Sequence, residues 1–440
     1  MSSAPQSAPL HQLLQQAAEA VQAVRQGRSL TDALARCPPA LRPGTQALSF
    51  LTLRRLGAVD ALRKLLAPKR PAPRVEGLLL VALALLWPDE TPPYAEHTVV
   101  DQTIKALKDR HSSGFVNAVL RRFVREREAL VAAVQADPVA EHNHPLWWIE
   151  MLKADYPQQW QAILAANNQH PPMTLRPRAG AEAYLQRLTE AGIAARKVGV
   201  GGHEAVALER ALPVASLPGF AEGEVSVQDL AAQLAAPLLL AGEPPLNARV
   251  LDACSAPGGK TAHLLELRPD LDLLALDADA SRLARVRENL ERLHLQAETR
   301  AADARELASW HDGRLFDAIL LDAPCSASGI VRRHPDARWL RRREDIDQLA
   351  ALQAELLDAL WPLLKAGGRM VYATCSVFKA EGAHQIDAFL QRHPDAQSLD
   401  VAGFTGHLLP LVDNGPAAGT DPAGPSDLDG FYYALLVKSR

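Results

Sequence analysis

Apolar residues recur at intervals of three and four from Leu10 to about Val134, and strand-like alternation is almost absent there. The pattern predicts an all-helical region. Pro73 suits the opening of a helix whose body is Val75 to Trp87, and Pro88 stops it. A second amphipathic helix is predicted over Gly114 to Leu130, with Phe115, Val119, Phe123 and Val124 on one face and arginines on the other. Asp137 to Pro145 is polar, holds two prolines and reads as a linker. Residues 146 to 225 mix a Trp-rich helix, the Pro-rich Gln169 to Arg178 and short strands around Ala194 to Val200 and Val206 to Leu208, which suits a small α+β module. From about Ala248 apolar strands alternate with amphipathic helices, the pattern of a doubly wound α/β sheet. Strands are predicted at Ala248 to Asp252, Leu273 to Asp277, Phe316 to Asp322 and Gly368 to Thr374, with crossover helices at Ser281 to Leu293 and Glu344 to Leu364. After a Gly/Pro/Asp-rich stretch from Asp413 to Asp429, Phe431 to Lys438 reads as a sheet-edge strand closing a long hairpin loop. The expected architecture is therefore multidomain: an all-α domain at 1–140, a linker and small α+β module at 141–235, and an α/β Rossmann-like domain with a mostly parallel sheet at 236–440.

Length agrees, because 440 residues exceed what one hydrophobic core usually supports. The longest apolar run, Leu78 to Trp87, is too short to span a membrane, and Met1 to Gln16 has no leader pattern. A cytoplasmic protein is expected. Its four cysteines, Cys37, Cys254, Cys325 and Cys375, lack zinc-site spacing and predict no disulfides. A net charge of -4 excludes indiscriminate coating of nucleic acid, which needs a broad cationic excess. Basic residues are instead local. Arg121, Arg122, Arg125 and Arg127 form one cluster, and Arg332, Arg333, Arg338, Arg341, Arg342 and Arg343 a denser one. The first is either a solvated helix face or a contact to RNA. The second precedes a predicted helix, where cations oppose the helix dipole, so an RNA backbone is the expected partner. Trp339 within it either stacks on a base or sits in a core.

In open α/β sheets, ligands sit outside the carboxyl ends of the strands. After the first strand comes Cys254-Ser255-Ala256-Pro257-Gly258-Gly259-Lys260, a small-residue loop opening a helix whose amides can face an anionic group. A Walker A loop would need glycine where Cys254 stands, and the G-x-G-x-x-G pattern of nicotinamide cofactors is absent. What remains is an adenosine cosubstrate bearing a carboxylate, namely S-adenosylmethionine. Asp277, ending the second strand, suits the ribose hydroxyls, and Asp303, after the third, suits the adenine amine.

The next two strands end in Asp322-Ala323-Pro324-Cys325 and Thr374-Cys375-Ser376, so three of four cysteines share one rim of the sheet. A lone cysteine is usually an inert buried hydrophobe, the reading given to Cys37. Two thiols and an acid at one rim suit a particular reaction. Carbon 5 of cytosine is a poor nucleophile, but a thiolate adding to C6 turns the ring into an enamine that attacks an electrophilic methyl group. An acid near N3 neutralises developing charge, and a base must remove the C5 proton before the thiol leaves. Cys375 as nucleophile, Asp322 at N3 and Cys325 as base fill these roles without a metal. The target base must be unpaired or flipped out.

Residues 254–260, 322–325 and 374–376 resemble the cosubstrate loop, Pro-Cys motif and Thr-Cys motif of RNA cytosine-C5 methyltransferases. More narrowly, the chain resembles the RsmB (Sun/Fmu) family of bacterial 16S ribosomal RNA methyltransferases. Gly114-Phe115-Val116-Asn117-Ala118-Val119-Leu120-Arg121-Arg122 is similar to its NusB-like helical domain, and Ser226-Val227-Gln228-Asp229 to its lead-in to the catalytic domain. The resemblance spans nearly the whole chain and is most specific over 226–380. It implies an adenosylmethionine pocket from Cys254 to Lys260 with Asp277, Asp303 and Asp322, a nucleophile at Cys375 and a release base at Cys325. The implied partner is 16S ribosomal RNA, free or partly assembled. Two other readings stay open: the same chemistry on transfer RNA or another RNA, and a noncatalytic RNA-binding scaffold.

Overall fold

The computed structural model describes residues 8–89, 91–107, 109–411 and 426–439. The chain forms two compact units, one of residues 1–168 with 331–342, the other of residues 169–330 with 343–440.

The first unit is built of helices around the segment Pro73–Leu86. Every residue from Val75 to Leu86 in it is buried, which fits a helix that is apolar all round and therefore central. Gly77 permits close approach, because a Cβ there would lie 2.8 Å from the Ala18 carbonyl oxygen. Glu76 of the same helix has no exposure, and Arg25, Arg63 and Arg70 surround its carboxylate. A buried charge is tolerated only when paired in this way.

Two expectations change here. The predicted helix Gly114 to Leu130 is two helices, Arg110–Arg125 and Arg127–Gln135, broken at Glu126. Asp137 to Pro145, expected as a linker, carries the helix Pro138–His142. The Asp137 side chain caps it, Pro138 occupies a first-turn position where a missing N–H costs nothing, and Asn143 ends it in a left-handed conformation. It packs so closely on the helix Leu56–Leu66 that a Cβ on Gly57 would lie 2.1 Å from the Val139 carbonyl oxygen.

The second unit holds two sheets. Four antiparallel strands, β1 (Met173–Pro177), β2 (Ala195–Val200), β3 (His203–Leu208) and β4 (Val225–Val227), run in the order β2-β3-β1-β4. This is the expected α+β module, with β1 inside the Pro-rich stretch. The larger sheet contains β5 (Arg249–Asp252), β6 (Asp272–Asp277), β7 (Glu298–Ala301), β8 (Phe316–Asp322), β9 (Leu364–Thr374), β10 (Ala396–Leu399), β11 (Gly406–Leu408) and β12 (Phe431–Lys438). Its order is β10-β12-β9-β8-β5-β6-β7, with β11 also paired to β12. Pairings from β7 through β9 are parallel, and those of β12 are antiparallel. Apolar cores cover both faces, which explains the near-continuous apolar strands. Strand β12 is not an edge, since β9 flanks it on one side and β10 and β11 pair on the other. Of the long loop, residues 412–425 lie outside the described residues. No described helix is long and apolar enough to cross a membrane.

Candidate active site

Parallel order brings the carboxyl ends of β5, β6, β8 and β9 to one rim. The loop after β5 leads into the helix Gly259–Leu267. Gly258 precedes that helix at φ +97°, and a Cβ there would lie 3.1 Å from Val286 Cα, so both conformation and space demand glycine. The loop is anchored to the next strand: Ser255 N–H donates to Leu276 O at 2.7 Å, and Ala256 N–H donates to Asp277 Oδ2 at 3.1 Å. The other Asp277 oxygen accepts from Asp279 N–H at 3.0 Å, and Arg282 lies 3.6 Å away. Ser255 Oγ and Asp252 Oδ1 are buried without a hydrogen-bond partner among the described residues, which fits a polar ligand in this cradle. Burial raises the Asp252 carboxyl to about 7, although Thr261 donates to it at 2.6 Å. The Cys254 thiol is pushed well up by burial and by Asp322, which disfavours a thiolate.

Asp303 follows β7, and both its oxygens accept from the Arg305 guanidinium, at 2.7 and 3.0 Å for the shortest contacts. Those hydrogen bonds hold its carboxyl below the ordinary range.

At the ends of β8 and β9 the two sulfurs, Cys325 Sγ and Cys375 Sγ, are 3.3 Å apart. Lys260 Nζ donates to Asp322 Oδ2 at 2.6 Å. Burial lowers the lysine and the facing Asp322 carboxylate more than offsets it, leaving the ammonium held above its ordinary value. Cys325 is driven well above the ordinary thiol range, first by its hydrogen bond with Cys375 and then by burial. Either thiol can donate to the other across this contact.

The predicted residues divide. Cys254 to Lys260, Asp277, Asp322, Cys325 and Cys375 come together on adjoining loops, and Asp303 stands one strand further along. Arg121 and Arg122 are exposed on the helix Arg110–Arg125. The cluster 331–342 is different. Arg332 and Arg338 have no exposure and lie within the helical unit, so they cannot be the RNA contacts expected of them. Arg338 Nη1 donates to Asn143 O at 3.2 Å and Nη2 to Asn167 O at 2.7 Å, and the Asn168 side chain accepts too. Trp339 takes the core alternative: its indole N–H donates to Leu53 O at 2.8 Å and its ring packs against the helical core. Arg333 is half-buried. Sequence reasoning missed Glu381, buried behind the cysteines and bonded to Ser326 and Ser376. The available signal was the repeated Cys-Ser pair at 325–326 and 375–376.

Residues 239–437 match the family model for 16S rRNA methyltransferase RsmB/F. Residues 144–215 match the ferredoxin-like domain of RsmF/B-like methyltransferases, and 11–125 the NusB family. The chain is 48% identical over 411 residues to the ribosomal RNA small subunit methyltransferase B of Pseudomonas syringae pv. tomato, covering 90% of this chain and 88% of that protein. The chain belongs to the RsmB family. The Vibrio cholerae protein of the same name is 42% identical over 437 residues, covering 95% of each chain. Among solved structures, PH0851 superposes with a TM-score of 0.72 at 24% identity, over 97% of this RsmB-family chain and 99% of that one, a likeness of fold.

Proposed function

We propose that this chain transfers the methyl group of S-adenosylmethionine to carbon 5 of a cytosine in 16S ribosomal RNA through a covalent adduct between Cys375 and C6 of the base. The observation that carries this reading is the pair of sulfurs 3.3 Å apart beside an Asp322–Lys260 ion pair. The residues fit the cosubstrate: the Gly258–Gly259 turn, the helix amides behind it, Asp277 and the buried Ser255 hydroxyl, which has no partner among the described residues, supply the polar cradle. When bound, S-adenosylmethionine supplies the electrophilic methyl group.

Cys375 attacks C6 as the thiolate, its sulfur lying 3.3 Å from that of Cys325. Asp322 faces N3 and delivers a proton there as negative charge develops on the ring, the proton passing to its carboxylate from the Lys260 ammonium that donates to Oδ2 at 2.6 Å. Cys325, having passed its own proton to water, removes the C5 proton as the base. The electron pair left behind expels the Cys375 sulfur. The ribosomal target is supported by relatives named for the small subunit, of which the chain covers nearly the full length.

The test is incubation with unmodified 16S RNA and labelled adenosylmethionine, followed by mapping of the label. Label is expected on cytosine C5. Cys375→Ala should lose turnover by about a thousand-fold or more, the scale for deleting a covalent nucleophile, while Cys325→Ala should accumulate protein-bound RNA. Label on a purine, or full turnover by Cys375→Ala, refutes the proposal.

A further inference from the structure

We propose that Glu381 is a positioning residue that clamps the two cysteine-bearing loops to each other and so sets the separation of the reacting sulfurs. The inference rests on the roles given to Cys375 and Cys325, and names what holds them.

Glu381 ends the short turn Lys379–Glu381 and has no exposure. Its carboxylate reaches into both loops. Oε1 accepts from Ser326 N–H at 2.8 Å and Oε2 from Ser326 Oγ at 2.5 Å, on the residue after Cys325. Oε2 also accepts from Ser376 Oγ at 2.6 Å, on the residue after Cys375. From a third side, Gln353 Nε2 donates to Oε1 at 3.2 Å and to Pro324 O at 2.8 Å. The glutamate is itself fixed, since its main-chain carbonyl accepts from Tyr372 Oη at 2.9 Å and Thr374 Oγ1 at 3.1 Å on β9. Its carboxylate contacts neither sulfur, so the role is one of placement.

Burying a carboxylate is costly, and here four donated hydrogen bonds repay it. A purely apolar plug could fill the same space without that cost. The loops already meet further along, where Gly329 N–H donates to Cys375 O and Val377 N–H to Ser328 Oγ, each at 2.9 Å; what the carboxylate adds is direction, one planar group fixing the two residues that directly follow the cysteines. That matters because the cysteines act on neighbouring ring atoms, C6 and C5, and a displacement of about 1 Å at a reacting group can cost about a hundred-fold in rate.

The substitutions separate placement from folding. In Glu381→Gln the amide oxygen still serves the two obligate donors, Ser326 N–H and Gln353 N–H, while its NH₂ faces hydroxyls that turn to accept. Glu381→Ala removes every bond. The expected result is a kcat lowered about a hundred-fold in Glu381→Ala, with the KM for adenosylmethionine within about two-fold because Glu381 touches no part of the 254–260 loop, and recovery to within about ten-fold in Glu381→Gln. Sulfur placement is read independently of methyl transfer by treating the full chain with diamide, which accepts two electrons and two protons as Cys325 and Cys375 join in a disulfide, located by peptide mass. Glu381→Ala should form that disulfide about ten-fold or more slowly. Ser376→Ala, which removes the hydroxyl's bond to Glu381 together with its bonds to Ser328 Oγ and Phe378 N–H, should fall between it and the parent chain in both readouts, and stands in if Glu381→Ala does not fold. Folded Glu381→Ala or Ser376→Ala with unchanged kcat and disulfide rate overturns the proposal. Slowed disulfide formation alongside full turnover by Cys375→Ala would sink the methyl-transfer roles and leave the clamp standing.

Discussion

Arg338 and Arg121 both belong to the helical unit, and their surroundings differ in every respect that matters for function. Arg338 has no exposure and donates to the main chain of Asn143 and Asn167 and the side chain of Asn168. Arg121 is exposed and reaches back one turn to Asn117 Oδ1 at 2.9 Å. A guanidinium taken out of water must find acceptors in the fork geometry its planar head presents, and Arg338 finds three. Such a group is committed to the fold and, with no exposure, is out of reach of a phosphate. An exposed guanidinium on a helix surface has kept its hydration and gives it up cheaply to a partner. Local charge density alone does not distinguish the two, and burial does.

Replacement of Arg338 gives the largest effect that would sharpen this contrast. Arg338→Met keeps length and bulk but leaves the Asn143 and Asn167 carbonyls and the Asn168 side chain without their donor. A loss of about 3 to 5 kcal/mol is expected for the helical unit, read as a lowered urea midpoint of the full chain. Arg338→Lys should recover only part, since one ammonium cannot fork to three acceptors. A midpoint unmoved in Arg338→Met would break the comparison, because Arg338 would then not be structural.

The same contrast explains which parts of the molecule were legible beforehand. Strand ends can be read because apolar runs mark the strands and the topology puts the following residues on one rim, which is how Cys325, Cys375 and Asp322 were found together. Glu381 was not legible, since its partners Ser326, Gln353 and Ser376 come from three segments and its own turn carries no periodicity. The helix within Asp137 to Pro145 was not legible because a proline in a helix's first turn is indistinguishable by composition from one that breaks a helix. Arg332 and Arg338 were misread because a charge run is normally solvated, and nothing local to 331–342 announces that the helical unit closes around it. Strands β10 and β11 escaped because they are short and largely polar, paired to a strand distant in sequence.

A pH titration probes the same buried region with a smaller effect. His144 is fully buried, its Nδ1–H donating to His142 O at 2.7 Å while Asn167 faces Nε2 at 3.4 Å. Burial, and then the charge of Arg338, hold it well below the ordinary histidine range. It therefore stays neutral in the fold while the unfolded chain takes up a proton near pH 6.5. The unfolded state then binds more protons, so His144's contribution is full above about pH 6.5 and falls by about 1.4 kcal/mol per pH unit below it. His144→Gln should flatten this acid slope between about pH 4.5 and 6.5 in urea titrations of the full chain. Equal slopes in the two proteins would show that the histidine titrates freely, and that the interior around Arg338 is open to water.

The smallest effect falls on the exposed side of the comparison. Arg121→Ala and Arg122→Ala should leave the urea midpoint unchanged, because Arg121 gives up a contact within its own helix and Arg122 an exposed pair with Glu126 at 3.0 Å. If this face meets RNA phosphates, each substitution releases about one fewer counterion, and the slope of log K against log salt for 16S RNA falls by about 0.7 to 0.9. Arg338→Met, at a temperature where it stays folded, should leave that slope alone. The slope separates the two arginines more sharply than affinity at a single salt concentration, since a partly unfolded protein also binds weakly but keeps the same counterion count per bound molecule. A slope reduced by Arg338→Met and untouched by Arg121→Ala or Arg122→Ala would invert the assignment and place the phosphate contacts elsewhere.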